Sequence, residues 1–344
     1  MNRFVSPRSP ARRVPLTVVG GPSGAGKTTL LRQLLTRNDG RRIAALLEHP
    51  DALALSDSEV ASADGDALVL RNGSVCLGLD GDILTGLPLV HRGDPSRLPD
   101  HVVVEVSHPT GHLHALGYEY MPGFRPGGAV MVLGAPDVEH VRAGGAEEQS
   151  ALEAQLRHVD LLVLNQVDRV RTSARPALRR WLQERAPGAR LVECEHGHVP
   201  TPLVLGSTPP YLPAHAICGE WSCAYTVDAD PRRTKAVEPR HDEDYRAWLL
   251  TTHHTVDTNA FGRWVNALPR SVLHGEGVLR VRNERDHRVR FHLCGSRWSL
   301  TSETSSDHAP EEPVGWLSLI GLAPAPRPSA ARAADASQLV GSPS

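Results

Sequence analysis

Short apolar runs alternate with longer amphipathic segments between residues 14 and 193. The runs predict strands at Leu16–Val19, Ile43–Leu47, Ala67–Leu70, His101–Ser107, Gly128–Leu133, Asp160–Asn165 and Ala189–Glu193. The segments between them predict helices after residue 28 and at Asp80–Val90, Ala146–His158 and Pro176–Arg185. Apolar strands separated by helices are typical of a parallel sheet covered on both faces. The pattern therefore predicts an α/β fold with a doubly wound, mainly parallel sheet.

The pattern changes beyond residue 200, where strands of alternating character are separated by longer polar stretches. Strands are predicted at Trp248–Thr252, Gly277–Arg282, Val289–Cys294 and Trp316–Ile320, and a helix at Asn259–Leu268. This part is expected to form a smaller α+β domain. The predicted organisation is a disordered arm (1–13), a nucleotide-binding domain (14–212), a linker (213–240), the α+β domain (241–321) and a disordered, low-complexity tail (322–344).

A phosphate-binding motif follows the first predicted strand. Residues 21–28 read G-P-S-G-A-G-K-T, which matches G-x-x-x-x-G-K-[ST] between a strand and a helix. Backbone N–H groups of such a loop surround phosphates, the lysine reaches the β- and γ-phosphates, and the hydroxyl holds Mg²⁺. A glycine turn before a buried helix is the alternative. The predicted nucleotide contacts are Gly21, Ser23, Gly24, Ala25, Gly26, Lys27, Thr28 and Thr29.

The use of basic residues supports this interpretation. Lysine occurs only at positions 27 and 235, and arginine supplies the other basic side chains. A compact ammonium fits among phosphates where the planar guanidinium of arginine fits poorly. Lys27 is therefore predicted to be functional.

Two further groups of polar side chains follow apolar strands, where ligands of parallel sheets bind. Glu105 closes a Val-Val-Val run and is predicted to act on Mg²⁺ or on the attacking water, with Lys27 and Thr28 as the other catalytic residues. Residues 164–168 read L-N-Q-V-D and are similar to the guanine-reading N-K-x-D motif of GTPases. The predicted base contacts are Asn165, Gln166 and Asp168.

Guanine specificity is assigned to Asp168 because its two oxygens can accept from N1–H and the exocyclic amine, a donor pair that adenine lacks. Asn165 is placed near the O6/N7 edge of the base. Gln166 replaces the usual lysine, so a positive charge over the base is absent. A strand-ending turn without a ligand is the alternative for this short motif.

The order of these motifs resembles the CobW-type P-loop GTPases, a family of metal chaperones and metallocofactor-insertion proteins. The resemblance extends over residues 14–320. It rests on Gly21–Thr29, RNGSVCLGLDGDILTGL (71–87), Val102–Pro109, AVMVLGAPD (129–137), Gln155 within 154–168, and FGRWVNALPRSVLHGEG (261–277). It implies a P-loop GTPase domain with a smaller C-terminal domain, GTP or GDP with Mg²⁺ as ligands, and delivery of a metal, zinc, to a client metalloprotein.

The chain departs from this family in its metal motif. Residues 74–77 read S-V-C-L where the family has C-x-C-C, so that Cys76 is the one thiol retained, and a lone thiol cannot form a tight tetrahedral site. Cys194, His196 and His198 follow a predicted strand and are the best-placed additional zinc ligands, with His108 as another candidate. A solvated loop is the alternative for residues 194–198.

Composition limits the classes of binding partner and the cellular compartment that we expect for this protein. A net charge of −2 gives no basic footprint for nucleic acid or for an anionic membrane. No apolar run reaches the about 18 residues of a membrane helix, and the first residues lack the apolar segment of a signal peptide. Five cysteines without framework spacing fit a reducing compartment, and a cytoplasmic location is expected. Oligomeric state is left open.

Three functional hypotheses follow. The first is a slowly hydrolysing GTPase of CobW type whose loops at about 48–85 and 105–128 respond to the γ-phosphate. The second is a P-loop phosphotransferase acting on a small molecule, which would not use Asp168. The third is a regulatory GTP-binding module that has lost metal binding. Guanine selectivity and zinc binding distinguish them.

Overall fold

The computed structural model describes residues 13–64, 67–78, 98–106, 123–206, 223–226, 245–252, 255–282, 287–302 and 315–322. The chain divides into two compact units, residues 1–132 and 133–344. The predicted arm, most of the linker, the tail, the helix at 80–90, His108 and the loop at 107–122 lie outside the described residues. The predicted domain boundaries therefore stay predictions.

The described strands are β1 (Val14–Gly20), β2 (Ile43–Leu47), β3 (Val60–Asp64), β4 (Ala67–Leu70), β5 (Val75–Gly78), β6 (His101–Val106), β7 (Phe124–Gly134), β8 (Leu161–Asn165), β9 (Arg190–Glu193), β10 (Cys223–Thr226), β11 (Tyr245–Thr252), β12 (Val272–Val281), β13 (His287–Cys294), β14 (Arg297–Ser302) and β15 (Gly315–Leu322). The helices are α1 (Lys27–Thr36), α2 (Ala135–Ala143), α3 (Ala146–Leu156), α4 (Arg175–Arg185), α5 (Thr201–Leu205) and α6 (Thr258–Asn266). Short 3₁₀ turns cover Pro50–Leu53 and Val167–Arg169.

The first unit is built on a mainly parallel sheet. Its described strands follow the order β3-β4-β5-β2-β6-β1-β7. The pairs β5–β2, β2–β6, β6–β1 and β1–β7 are parallel, whereas β3 and β4 form an antiparallel edge. The central strands β1, β2 and β6 are buried along their whole length, which explains their continuous apolar sequences. The predicted α/β class is confirmed.

Polar groups inside this sheet are paired. The Thr17 hydroxyl and the His101 Nε2 lie 2.7 Å apart, and both side chains are buried. The register of the β1–β7 pair shifts between Leu16 and Thr17. At this point a Cβ on Gly127 would lie 2.6 Å from the Leu16 carbonyl carbon. Glycine at 127 therefore permits β7 to approach β1, the strand that leads into the P-loop, closely.

The second unit contains a short parallel pair and a separate antiparallel sheet. β8 and β9 run parallel, so Asn165 and the residue after Glu193 emerge at neighbouring strand ends. The described strands of the antiparallel sheet follow the order β10-β11-β15-β12-β13-β14. Its apolar face packs on α6 around Phe261 and Phe291, whose rings meet edge to face at 5.1 Å. The smaller α+β region predicted from the sequence is confirmed as a fold.

The structure differs from the sequence prediction at the edges of both sheets. β3 occupies Val60–Asp64, where no strand was predicted. β14 was not predicted, because its sequence, R-W-S-L-T-S, lacks a continuous apolar run. Edge strands face solvent and carry polar residues, so their patterns resemble loops.

The helices in the described part of the chain are too short or too polar to span a bilayer.

Candidate nucleotide-binding site

The P-loop has the backbone geometry that its glycines require. Gly21, Gly24 and Gly26 adopt φ angles of 141°, 81° and 99°, which L-residues with a Cβ rarely occupy. A Cβ at Gly21 would lie 2.1 Å from the carbonyl oxygen of Val132, so this position also needs glycine for space. α1 begins at Lys27 directly after the loop, and its N-terminal N–H groups add to a phosphate-binding nest.

Lys27 extends across this loop. Its ammonium donates to the carbonyl oxygens of Gly21 at 2.8 Å and Pro22 at 3.1 Å, and the side chain is 7% exposed. These carbonyls fix the charge above the loop, where the phosphates of a nucleotide would lie. Thr28 is partly buried in the first turn of α1, and Ser23 and Gly24 are exposed.

Glu105 is placed beside Lys27 at the carboxyl end of β6. Burial raises the pKa of its carboxyl group, and the nearby Lys27 charge partly opposes this shift. Glu48 and His49 also lie close. The charge of Glu48 raises the pKa of Glu105, whereas the charge of His49 and the backbone N–H of Glu48 lower it. The structure therefore brings together the ammonium and the acid that the sequence assigned to the phosphate site.

Glu48 and His49 were missed in the sequence analysis. Both side chains are exposed and directly follow the buried strand β2, which neighbours β6. The available signal was their position at the carboxyl end of a parallel strand, the same signal that identified Glu105. They add a carboxylate and an imidazole to the surroundings of the P-loop.

Cys76 lies inside the sheet of the first unit. It is 0% exposed, and burial raises the pKa of its thiol to about 12. Ser74 is also buried, and its hydroxyl accepts from the Asn38 amide at 3.2 Å and from the Ile43 N–H at 3.3 Å. Asn72 donates to the Leu35 carbonyl at 2.7 Å. The turn before β5 is thus attached to the C-terminal end of the P-loop helix, and residues 74–76 are packed rather than exposed.

The guanine motif lies at the end of β8 in the second unit. Asn165 is 2% exposed, whereas Asp168 is exposed in the following 3₁₀ turn. Gln166 adopts a left-handed backbone conformation with φ of 60°. This conformation is strained for a residue with a Cβ, and such strain is frequent at functional sites. The side-chain Oε1 of Gln166 accepts from the Arg169 guanidinium at 3.2 Å. The left-handed turn at Gln166 separates the buried amide of Asn165 from the exposed carboxylate of Asp168.

The loop after β9 surrounds Asn165. Cys194 is buried, and its thiol lies 3.4 Å from the Asn165 Oδ1, which also accepts the Gly197 N–H at 2.8 Å. His196 and His198 are exposed. Burial raises the pKa of the Cys194 thiol to about 12, with Asp168 and Glu195 adding smaller effects in the same direction and the Gly197 N–H opposing them.

The four predicted zinc ligands, Cys76, Cys194, His196 and His198, differ in their unit and in their exposure to solvent. Cys76 belongs to the first unit, and Cys194 points inward while His196 and His198 are exposed. Among the residues that the structure describes, no group of three His, Cys, Asp or Glu side chains is arranged to hold a metal ion. Both buried thiols remain protonated at neutral pH, which disfavours them as zinc ligands.

Comparison with known proteins places these motifs in a family. The model of the CobW/HypB/UreG nucleotide-binding domain matches residues 15–193. The chain belongs to the CobW/HypB/UreG family. Members of this family are GTPases.

Curated members of the CobW/HypB/UreG family are similar to more than half of the chain. A protein named zinc chaperone CobW from Sinorhizobium sp is 28% identical over 225 residues, which are 56% of this chain and 62% of that protein. Its namesake from Pseudomonas aeruginosa is 26% identical over 235 residues, 58% and 61% of the two chains. The zinc-regulated GTPase metalloprotein activator 1 of Schizosaccharomyces pombe is 26% identical over 197 residues, 54% and 47%. The match thus spans less than two thirds of each relative.

A solved structure, the Zn(II)-bound YjiA GTPase from E. coli, aligns with 95% of this chain and 99% of its own, at 19% identity and a TM-score of 0.45.

Proposed function

We propose that this protein binds GTP and GDP, hydrolyses GTP slowly, and uses its nucleotide state to control the transfer of a zinc ion to a client metalloprotein. The observation that carries the nucleotide part is the placement of Lys27 and Glu105 at one P-loop. A structural glycine turn would need neither a buried ammonium nor an acid beside it, because both charges cost free energy when they are removed from water.

The phosphate half supplies oxygen ligands for Mg²⁺. The Thr28 hydroxyl and the Glu105 carboxylate are hard oxygen donors, which Mg²⁺ prefers, and bound Mg²⁺ would neutralise charge on the phosphates. Lys27 stabilises negative charge on the β- and γ-phosphates, and the loop N–H groups orient them. Glu105 must be ionised for this role, so a neighbouring cation favours the active form of a carboxyl whose pKa is raised.

The guanine half supplies selectivity. The exposed Asp168 accepts from N1–H and the exocyclic amine of guanine, and the buried Asn165 contributes an amide to the O6/N7 edge. The sequence marks neither an arginine finger nor a glutamine that positions water, and GTPases without such groups are slower by about 10³- to 10⁵-fold. Slow turnover suits a protein whose nucleotide states act as signals.

The proposed metal step draws support from the zinc-related names of the relatives rather than from an assembled site. The buried thiols do not suit a closed zinc site. The exposed side chains of His196 and His198 supply weak zinc ligands, and a client protein supplies the remaining ones. Weak and open coordination is what a transfer function needs.

Calorimetric titration with GDP, ADP and Zn²⁺, alone and in combination, tests this proposal. We expect GDP to bind and ADP not to bind measurably, and we expect GTP to change the affinity for Zn²⁺, because coupling between two ligands is reciprocal. Equal affinity for GDP and ADP would instead support a phosphotransferase.

The burial of Cys76 favours a second candidate, a regulatory GTP-binding module without metal transfer. In that case GDP selectivity remains, but Zn²⁺ affinity is the same with and without nucleotide.

A further inference from the structure

The carboxamide of Asn165 is held from one side by two donors. Its Oδ1 accepts the Gly197 backbone N–H at 2.8 Å and the Cys194 S–H at 3.4 Å. Asn165 is 2% and Cys194 6% exposed, so water does not compete for these positions. Two short-range donors from one loop therefore converge on one amide oxygen.

This convergence determines the orientation of the amide. A backbone N–H and an S–H both donate, so the group that faces them must be the oxygen and not the NH₂ of Asn165. A flipped amide would place N–H groups against N–H and S–H. The Nδ2 donor must consequently lie on the side away from residues 194–197.

The donors themselves are fixed by local structure. His196 and Gly197 adopt left-handed φ angles of 54° and 68°, which turn the Gly197 N–H inward. The loop is attached to the guanine motif by the Val167 N–H, which donates to the Cys194 carbonyl at 3.3 Å. On the other side, Arg179 on α4 donates to Glu193 at 2.8 Å.

The thiol of Cys194 is directed at the Asn165 Oδ1, 3.4 Å away. A buried cysteine without this contact would be an ordinary apolar residue. Its direction toward Asn165 gives this one a role.

We propose that Cys194 is a positioning residue for base recognition: together with the Gly197 N–H it fixes the Asn165 carboxamide so that Nδ2 donates to N7 of the purine. This inference rests on the proposed guanine-nucleotide function and concerns the same site. Asp168 reads N1–H and the amine, so the two residues read different edges of the base.

Nucleotide analogues separate the two edges. GDP and 7-deaza-GDP differ only in the N7 acceptor, whereas GDP and IDP differ in the exocyclic amine. We expect the wild-type protein to bind GDP about five-fold more tightly than 7-deaza-GDP, the value of one hydrogen bond. Cys194→Ala should lose most of this ratio and keep the GDP/IDP ratio. Cys194→Ser should retain both, because a hydroxyl also donates.

Cys294→Ala is the matched control, since it removes another buried thiol in the same unit. It should leave both ratios unchanged. If Cys194→Ala weakens GDP and 7-deaza-GDP equally, Cys194 has only a structural role and the inference is overturned. A wild-type preference for GDP over ADP without a GDP/7-deaza-GDP difference overturns the inference and leaves the proposed function intact. No preference for GDP over ADP contradicts the proposed function itself.

A second measurement does not need the alanine variant to fold. The infrared S–H stretching band of Cys194 is identified by its loss in Cys194→Ser. We expect it at the frequency of a hydrogen-bonded thiol in the folded wild-type protein. A band at the frequency of a free thiol would overturn the inference.

Discussion

Arg297 and Asp160 form a two-pronged ion pair within the second unit. Nε of Arg297 lies 2.8 Å from Oδ1, and Nη2 lies 2.6 Å from Oδ2 of Asp160. The Asp160 side chain is 3% exposed, whereas that of Arg297 is 39% exposed. Gly295 precedes this contact with φ of 59°, and a Cβ there would lie 2.2 Å from the Asp160 carbonyl oxygen. The turn between β13 and β14 thus packs against Asp160, the residue directly before β8.

The first prediction is that Arg297→Ala destabilises the second unit. It leaves the buried Asp160 carboxylate without its bidentate partner, and the expected loss is about 2 kcal/mol because solvent screens the exposed side of the pair. All tryptophans lie at or beyond position 181, so tryptophan fluorescence during urea unfolding reports on this unit. Arg175→Ala is the control in the same unit, since it breaks a pair at 3.6 Å with Glu195, whose carboxylate is exposed. Equal effects of the two variants would show that the Asp160 pair is not special.

The second prediction concerns Glu105 and pH. Its folded pKa is raised, so the folded state retains a proton that the unfolded state has released, and stability falls as pH rises through this window. Glu105→Gln removes that penalty. We expect the variant to have a higher Tm than the wild-type protein at pH 7, a smaller difference at pH 4, and slower GTP hydrolysis. A pH-independent Tm difference would show that burial of the carboxylate is not the cause.

The third prediction is that the Cys76 thiol takes no part in zinc binding by the isolated protein. Because Cys76 is fully buried and its pKa is raised to about 12, Cys76→Ser should leave Zn²⁺ affinity unchanged, while His196→Ala combined with His198→Ala should lower it. Competition with a chromogenic chelator measures both. Loss of Zn²⁺ binding in Cys76→Ser alone would mean that β5 opens to expose the thiol.

Strands made of short apolar runs were the part of the fold best predicted from sequence. Ile43–Leu47 and Ala67–Leu70 were predicted with the bounds that the structure has, because apolar runs there end at turn residues. The P-loop needed only a local motif with its flanking strand and helix.

The role of Cys194 could not be predicted, since it depends on a contact with a residue 29 positions away. Its residue type suggested a zinc ligand, but the direction of its side chain cannot be read from the sequence. Cys76 failed to be recognised as buried for the same reason.

Titration calorimetry of GDP, ADP and XDP against the wild-type protein, Asp168→Asn and Lys27→Ala tests the central claim, guanine-nucleotide binding, most directly. We predict that the wild-type protein binds GDP and not ADP, and that Lys27→Ala binds neither. Asp168→Asn should lose about 30- to 1000-fold in GDP affinity and gain in XDP affinity, since a charge-assisted bidentate contact is removed and a donor replaces an acceptor. Equal wild-type affinities for GDP and ADP, or unchanged GDP binding by Lys27→Ala, would contradict the account.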